Sequence, residues 1–419
     1  MINHTWLKEM CINAGADEVG IVELERSNLA LQKPELLKAF SKAKTLICYA
    51  CTYNHASTRS YYRSISNHEY HNVESTISKV GYEIVRQLRS NKIDAVSMVS
   101  DFPMESDGVS PKHWIIEHKP IAVEAGIGMM GLNRQVLHPV HGAYILLNTI
   151  LIDSEVSQYD HPVEINPCIG CNLCVSICPT GSIHKDGSFN FMGCFRHNYR
   201  DKQNGFIDMI KTASECKNLR AFEKYFNNSD IESVWQNLQS GSNFRCSYCV
   251  AVCPAGKERL EEYKQDKKGY FNEIFGTLKS KEETVFVTKG SDAESAVITK
   301  FPNKKIKYVK SRIKYNTING FLQSLQIGFQ IDQSKDVDCI YHFEFTGNEN
   351  GKSTVIIKNQ RIQILPDFID SPDLYIKADS EAWLKFLAKE MNIVQGILFG
   401  KIIIKGNMKH MLEFKNCFS

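Results

Sequence analysis

The sequence predicts three units in order along the chain: an α/β domain, a cysteine-rich α+β module and a second α+β domain. Short apolar runs alternate with helical segments through about residue 160. Two sets of closely spaced cysteines follow, and the last third changes to alternating strands that end in helices. We therefore place the α/β domain at 1–160, the cysteine module at 161–275, a basic linker at 276–312 and the last domain at 313–419.

In the first domain, continuous apolar runs are typical of buried strands, and the segments between them repeat at helical spacing. The pattern predicts strands at 18–24, 44–53, 95–99 and 144–152, and helices at 4–14, 36–43, 73–90 and 115–125. Cys48 and Cys51 form a Cys-x-x-Cys within the second strand. Because they lie inside an apolar strand, we interpret them as core residues and not as metal ligands.

The cysteine module begins with CIGCNLCVSICP, in which Cys168, Cys171, Cys174 and Cys178 have the spacing Cys-x-x-Cys-x-x-Cys-x-x-x-Cys before Pro179. This is the spacing of bacterial ferredoxins, where three thiolates hold one cubane [4Fe–4S] cluster and the fourth ligates a neighbouring cluster. A disulfide framework is the alternative, but no export signal precedes the run. The sequence therefore predicts an α+β ferredoxin-type module with two clusters.

The second run, CSYCVAVCP, is incomplete, because Asn243 stands where a fourth cysteine is needed. If each run lends its last thiolate to the other cluster, cluster 1 has Cys168, Cys171, Cys174 and Cys253, and cluster 2 has Cys178, Cys246 and Cys249. The missing ligand must then come from between the runs, where only Cys194 and Cys216 lie. We favour Cys194, which follows a short apolar stretch, over Cys216 in a polar helical stretch. The largely helical segment 204–239 is expected to cover the clusters.

Composition excludes several classes of protein. Lys and Arg number 50 against 47 Asp and Glu, and the formal net charge of +3 is too balanced to argue for nucleic acid. No apolar stretch approaches the roughly 20 residues of a membrane helix, and the amino terminus lacks a signal sequence and a twin-arginine address. We expect a cytoplasmic protein without a membrane span, whose 14 cysteines favour metal binding over disulfides.

Three glycines, Gly126, Gly128 and Gly131, follow the helix predicted at 115–125. Glycines so close together indicate that the backbone turns sharply or approaches another body. Their spacing matches Gly-x-Gly-x-x-Gly, but a dinucleotide fingerprint follows a strand and has an acidic partner for the ribose. Neither feature is present, so we do not interpret this segment as a nucleotide site.

The last third begins with a basic stretch at 301–315 that contains no acidic residue. A docking face for an acidic redox partner is one interpretation, and a solvated face or linker is the one we favour. The pattern beyond it predicts helices at 318–327, 380–391 and 407–414 and strands at 339–345, 353–358, 362–365, 374–377 and 401–405. This segment is expected to form an α+β domain with its own core.

Residues about 1–265 resemble the superfamily of epoxyqueuosine reductases and reductive dehalogenases. The resemblance is carried by HEYH at 68–71, EHKPIAVEAGIGMMGLN at 117–133, both cysteine runs and the lone Cys194. It implies a corrinoid-type α/β domain that binds cobalamin beside a two-cluster ferredoxin module, with Cys194 as the eighth ligand. The corrinoid-binding residues that it implies are Tyr70, His71, Glu117, Gly126, Gly128, Gly131 and Asn133. No Asp-x-His-x-x-Gly motif is present, which agrees with cobalamin held without a cobalt-ligating histidine.

Two features depart from that superfamily. Epoxyqueuosine reductases carry an aspartate, proposed as the proton donor, just before the segment that matches 117–133, but this sequence reads VSPKHWIIE there. His113 is the candidate catalytic residue in its place, with the more distant Asp107 as the alternative. The helical-repeat tail of many tRNA-acting members is absent, and residues about 311–419 resemble a sterol-carrier-protein domain through TINGFLQSL and ILFGKIIIKGN. Both departures argue against tRNA as the substrate.

We therefore expect an iron–sulfur oxidoreductase whose two [4Fe–4S] clusters deliver electrons to a bound cobalamin, for the reduction of a small or apolar substrate. The electron donor would be a ferredoxin, a flavodoxin or a reductase. One alternative is an electron-transfer protein that serves a partner enzyme. Another is a lipid or acyl carrier that works through the C-terminal domain.

Overall fold

The computed structural model of the chain describes residues 1–100, 115–200, 205–240, 245–309 and 315–418. Every helix within those ranges is too short or too polar to cross a membrane. The candidate proton donor His113 and its alternative Asp107 lie outside the described residues.

The first domain is built on a four-stranded antiparallel sheet in the order β1-β2-β6-β3. The strands, including the short pair β4 and β5, are β1 Glu18–Glu23, β2 Thr45–Thr52, β3 Ala95–Ser97, β4 Met129–Met130, β5 Val136–Leu137 and β6 Ile145–Ile152. The helices are α1 His4–Asn13, α2 Lys33–Ala39, α3 His55–Thr58, α4 Arg63–Ser90 and α5 His118–Glu124. The four predicted strands are confirmed, but the predicted α/β class is corrected, because all pairings in this sheet are antiparallel and an α/β domain has a mostly parallel sheet.

The central strand β2 is buried along nearly its whole length, and its alternate residues enter two separate cores. Cys48 packs with Leu46 on one face of the sheet, and Cys51 packs with Ile47 on the other. Because side chains of a strand alternate between faces, these two thiols point in opposite directions. The prediction that they are core residues is confirmed, since both are buried.

Helix α4 begins at Arg63, well before the predicted start at residue 73. Its first turns bury polar and aromatic residues, among them Ser66, Asn67 and Tyr70. The Asn67 side chain accepts a hydrogen bond from the Arg245 backbone at 3.0 Å. This face of α4 therefore packs against the cysteine module through polar side chains. Because those buried residues are not apolar, the sequence lacks the apolar spacing from which the start of the helix could have been predicted.

The cysteine module is helical and not α+β as predicted, because the described residues 161–275 contain no strand beyond the isolated bridge between Ile183 and Phe189. Its helices are α6 Leu173–Ile177, α7 Phe191–Asn198, α8 Phe206–Glu215, α9 Leu219–Phe222, α10 Asn228–Ser240, α11 Tyr248–Ala251, α12 Lys257–Gln265, α13 Lys267–Tyr270 and α14 Thr277–Ser280, with a π-helical turn at Phe271–Gly276. Helices α8 to α10 confirm the helical segment predicted between the cysteine runs.

The prediction of a basic linker is wrong for residues 284–308. They form two parallel strands, β7 Thr284–Val287 and β8 Lys305–Tyr308, joined by α15 Asp292–Lys300. Val285, Val287 and Val297 form a small buried core there. Lys304, from the stretch interpreted as solvated, is 5% exposed and donates a 3.0 Å hydrogen bond to the Tyr248 hydroxyl. The strands are short and rich in lysine, so their apolar pattern is weak.

The C-terminal domain has a five-stranded sheet in the order β11-β10-β9-β12-β13, in which only β9 and β12 pair in parallel within the described chain. Its strands are β9 Cys339–Thr346, β10 Gly351–Lys358, β11 Arg361–Pro366, β12 Leu374–Asp379 and β13 Ile402–Gly406. Its helices are α16 Ile318–Gly328, α17 Ser380–Leu387, α18 Ile393–Leu398 and α19 Met408–Asn416. The predicted α+β unit with its own core is confirmed, and that core is rich in aromatic side chains.

Candidate functional site

The first cysteine run surrounds helix α6. Cys168 and Cys171 lie on the preceding loop, Cys174 lies in the first turn of the helix, and Cys178 is its C-cap. Gly170 and Asn172 have φ of 66° and 59°, a left-handed conformation that turns the loop back on itself. The thiols of the first three cysteines are close enough to interact electrostatically, while Cys178 lies at the other end of the helix.

The last cysteine of the second run joins these three thiols. Cys253 interacts electrostatically with Cys171, Cys174 and Cys168, and the four side chains line one cavity together with Asn133. We call these four cysteines group 1. Burial is the main cause that raises the pKa of Cys174 and of Cys253 to about 12, and the neighbouring thiols raise it further.

A second set, group 2, consists of Cys178, Cys194, Cys246 and Cys249. Cys194, on α7, interacts with Cys178 and Cys246, and Cys249 interacts with Cys194 and Cys178. Burial is the main cause that raises the pKa of Cys194, Cys246 and Cys249, followed by the neighbouring thiols. Cys216 lies at the C-cap of α8 and is not among the groups that interact with Cys194 in the described structure.

Groups 1 and 2 are the two ligand sets that the sequence analysis assigned to cluster 1 and cluster 2. Each group offers four thiols, which is the ligand set of a [4Fe–4S] cluster. Burial keeps the free thiols protonated, and binding of a cationic iron core would release those protons. Cys249 of group 2 also interacts with Cys174 of group 1, so the two groups adjoin. The residues present therefore fit two neighbouring clusters.

Two buried hydroxyls lie behind group 2, and the sequence analysis missed both. Thr180 Oγ1 is 3.5 Å from Cys178 Sγ and 2.7 Å from Ser182 Oγ. A thiolate bound to iron carries no proton, so the Thr180 hydroxyl would donate to the sulfur and accept from Ser182. Thr180 directly follows Pro179 and Ser182 lies two residues further on, and this closeness to Cys178 is the signal from which both could have been found.

Three lysines place positive charge near group 2, and the Glu283 carboxylate places negative charge near Cys246. Lys119 interacts electrostatically with Cys249 and Cys194, and Lys281 and Lys304 interact with Cys246. Burial lowers the pKa of all three and brings that of Lys304 to about 8. These lysines come from three distant parts of the chain, so no local motif predicts them. Positive charge beside a cluster stabilises its more negative, reduced state.

The three glycines proposed to approach a corrinoid are packed against the chain itself. A side-chain carbon at Gly126 would meet the carbonyl of His161, and one at Gly128 would meet the carbonyl of Leu137. At Gly131 it would meet the Leu137 side chain. The sharp turn is confirmed, but the close neighbour is the protein's own loop. The chain's own packing is therefore enough to explain glycine at these positions.

The other corrinoid candidates lie in different surroundings. Tyr70 is buried beside group 2, where burial and then Tyr53 and Cys249 raise its pKa. Asn133 donates a 3.3 Å hydrogen bond to the backbone carbonyl of Cys249 and so links the glycine-rich turn to the second run. The Glu117 backbone is held by the Gln32 side chain through hydrogen bonds of 2.7 and 3.3 Å. His71 is half-buried on α4.

Comparison with known proteins gives family matches in two separate parts of the chain. Residues 164–184 match the 4Fe-4S binding domain, and residues 330–419 match the SCP-2 sterol transfer family. The chain is also similar to the curated epoxyqueuosine reductase of Aliivibrio fischeri, with 29% identity over 143 residues, which covers 34% of this chain and 31% of the relative. It thus spans about a third of that relative's length. The predicted resemblances are confirmed.

Comparison with solved structures gives matches of low similarity, two of which are described below. An epoxyqueuosine reductase in complex with an epoxyqueuosine-modified tRNA-Tyr stem loop has a TM-score of 0.38 and 16% identity, covering 77% of this chain and 84% of that chain. A catabolic reductive dehalogenase has a TM-score of 0.40 and 13% identity, covering 70% and 37%. With these TM-scores the likeness in overall fold is weak.

Proposed function

We propose that this chain is an iron–sulfur oxidoreductase that carries electrons through two [4Fe–4S] clusters to the reduction of a small or apolar substrate. The supporting observation is that eight cysteines gather in two adjoining groups, and each run contributes its last cysteine to the other group. Group 1 would hold cluster 1 and group 2 would hold cluster 2. The bound clusters would supply one-electron transfer.

The chain's own residues would keep water away from the clusters and would stabilise an added electron at cluster 2. Cys174 and Cys178 are buried, as are the hydroxyls of Thr180 and Ser182, so little water reaches group 2 from that side. Lys119 would favour electron residence at cluster 2, because a positive charge stabilises the added negative charge. These features support electron flow from cluster 1 towards cluster 2.

Anaerobic reconstitution with iron and sulfide tests the proposal. Two cubanes require about eight irons per chain. Cys171→Ala and Cys249→Ala should each reduce the iron content by roughly half, whereas the core variant Cys48→Ala is the matched control and should leave it unchanged. About four irons in the unaltered protein, or zinc in place of iron, would contradict the two-cluster proposal.

Cobalamin as the electron acceptor rests on the resemblance alone, because a Cβ added at each of the three glycines assigned to it would meet atoms of the chain itself. We therefore assign it no step. Adding cobalamin to the reconstituted, reduced protein and recording its absorbance tests this acceptor. A changed spectrum and co-elution on gel filtration would support it. An unchanged spectrum would favour the alternative in which the clusters serve a partner enzyme.

The expectation that nucleic acid is not a substrate stays a prediction. The tRNA stem loop in one solved epoxyqueuosine reductase is the reason to test it directly. We expect no shift of a tRNA-Tyr stem loop in an electrophoretic assay with the reconstituted protein. Saturable binding at physiological salt would overturn that expectation.

A second candidate function is lipid or acyl binding by the C-terminal domain. The match of residues 330–419 to the SCP-2 sterol transfer family favours it. Mass spectrometry of solvent-extracted protein would identify a retained apolar ligand. A C-terminal domain that is empty in repeated preparations, and that takes up no fluorescent fatty acid, would count against this function.

A further inference from the structure

The C-terminal domain gathers a cysteine, a histidine and a glutamate at one end of its sheet. Cys339 opens β9 and is 1% exposed, while His410 and Glu413 lie one turn apart on α19 and are half-buried. One ligand atom from each side chain, a sulfur, a ring nitrogen and a carboxylate oxygen, lies within 4.8 Å of the other two. Three types of metal ligand therefore converge between a strand and the last helix.

The hydrogen bond between the histidine and the glutamate can be exchanged for bonds to an ion. His410 Nδ1 is 2.8 Å from Glu413 Oε2, so a cation that displaces the shared proton can contact both atoms. The proton of the neutral ring is then carried by Nε2. The other oxygen, Glu413 Oε1, is held by Lys409 at 3.2 Å, and the Lys409 side chain is 72% exposed. An exposed ion pair of this kind costs little to give up.

The backbone around the cluster is fixed, and a fourth donor lies beside the cysteine. The Tyr341 hydroxyl donates to the His410 carbonyl at 3.2 Å and so ties this turn of α19 to β9. Asp373, exposed just before β12, is close enough to interact electrostatically with Cys339, and its Oδ2 accepts a 2.8 Å hydrogen bond from the Ile340 backbone. An ion could therefore reach the buried sulfur from solvent along the Asp373 side chain.

We propose that Cys339, His410 and Glu413 bind a zinc ion, with Asp373 as the fourth donor. One thiolate, one imidazole and carboxylate oxygens suit a borderline-soft ion that prefers four ligands. Magnesium and calcium favour all-oxygen sites and are poor occupants here. The bound ion ties α19 to the ends of β9 and β12, so its role is structural.

A second cluster in the chain has similar composition but a different hydrogen-bond pattern. His138 and His141 place their Nε2 atoms 3.4 and 3.5 Å from Glu18 Oε1. However, His138 Nδ1 accepts hydrogen bonds from the backbone of Val140 and of His141, both at 3.1 Å. The proton of the neutral ring is then on Nε2, which cannot bind a cation while those bonds persist. This cluster is the matched control.

The experiment uses the full-length protein with both iron–sulfur clusters reconstituted, so that the cluster thiols are occupied. After incubation with zinc sulfate and gel filtration, elemental analysis should find about one zinc per chain. X-ray absorption at the zinc edge should show one sulfur at about 2.3 Å with nitrogen and oxygen ligands at about 2.0–2.2 Å. His410→Gln, which changes a half-exposed side chain, and Cys339→Ser should both lower the bound zinc to background, while His141→Gln should retain it.

Three outcomes would overturn the proposal. The first is no retained zinc in the unaltered protein. The second is a zinc shell dominated by sulfur, which would place the ion in the cluster cysteines. The third is equal zinc binding by the unaltered protein and His410→Gln, with circular dichroism showing that both are folded. Failure of the two-cluster proposal is detected separately by the iron content, which His410→Gln should not change.

Discussion

Replacing Thr180 by valine tests the arrangement of group 2 most directly. Valine keeps the shape of threonine but removes the hydroxyl that lies 3.5 Å from Cys178 Sγ. Thr180, Ser182 and Cys178 are 2%, 0% and 7% exposed, so water cannot easily replace the lost donor. A hydrogen bond to the ligand sulfur stabilises the reduced cluster more than the oxidised one, because the reduced cluster carries more negative charge.

The expected size follows from the strength of one buried hydrogen bond. Such a bond contributes about 0.5–1.5 kcal/mol, and for a one-electron couple about 1.4 kcal/mol corresponds to roughly 60 mV. Thr180→Val should therefore lower the midpoint potential of cluster 2 by about 20–60 mV. Thr180→Ser keeps the hydroxyl and should leave the potential near that of the unaltered protein.

The measurement is an anaerobic redox titration followed by electron paramagnetic resonance. One of the two midpoints should shift in Thr180→Val, and the other should stay constant. The shifting signal should be the one that is missing from Cys194→Ser, which lacks a ligand of group 2. A shift in the signal that survives in Cys194→Ser would refute the assignment of Cys178 to cluster 2, and an unchanged pair of midpoints would refute the hydrogen bond.

Three further predictions concern the eighth ligand, the positive charge near group 2 and the C-terminal core. Cys194→Ser should lose about four irons per chain by elemental analysis, whereas Cys216→Ser should lose none. Lys119→Gln should lower the midpoint of cluster 2 in the same titration, and Lys119→Arg should not, because it keeps the charge. Trp383 is 1% exposed and packs among phenylalanines, so Trp383→Ala should destabilise the C-terminal domain by about 3–5 kcal/mol in denaturant unfolding. Leu398 is 77% exposed, so the control variant Leu398→Ala should have little effect on stability.

The sequence predicts the two cysteine groups well because their geometry is largely local. Three closely spaced cysteines and a turn determine most of each group, and the incomplete second run leaves few choices for the remaining ligand. Cys194 was preferred over Cys216 from its apolar surroundings, and the structure places Cys194 beside Cys178 and Cys246. The assignment of these thiols as cluster ligands stays a prediction until iron is measured.

The features that the sequence analysis missed depend on contacts between distant segments. The first turns of α4 pack a polar face against the cysteine module, so the apolar period is absent there. Strands β7 and β8 are short, and their parallel pairing joins segments separated by a helix. The glycine at 128 correctly predicted a close approach, but nothing in the local sequence says that the partner is the backbone of Leu137.

The unit formed by β7, α15 and β8 is part of the surroundings of group 2 and not a spacer. Tyr248, which lies between two cysteines of the second run, donates a 2.8 Å hydrogen bond to Glu283 and accepts one of 3.0 Å from Lys304. Lys304 Nζ also donates to the Lys281 carbonyl at 2.7 Å, and all these groups are buried or half-buried. Without this unit, the Tyr248 hydroxyl beside group 2 would lose these partners. A buried polar group that has lost its hydrogen bonds destabilises the fold. Residues 281–304 therefore belong to the same folded body as the second cysteine run.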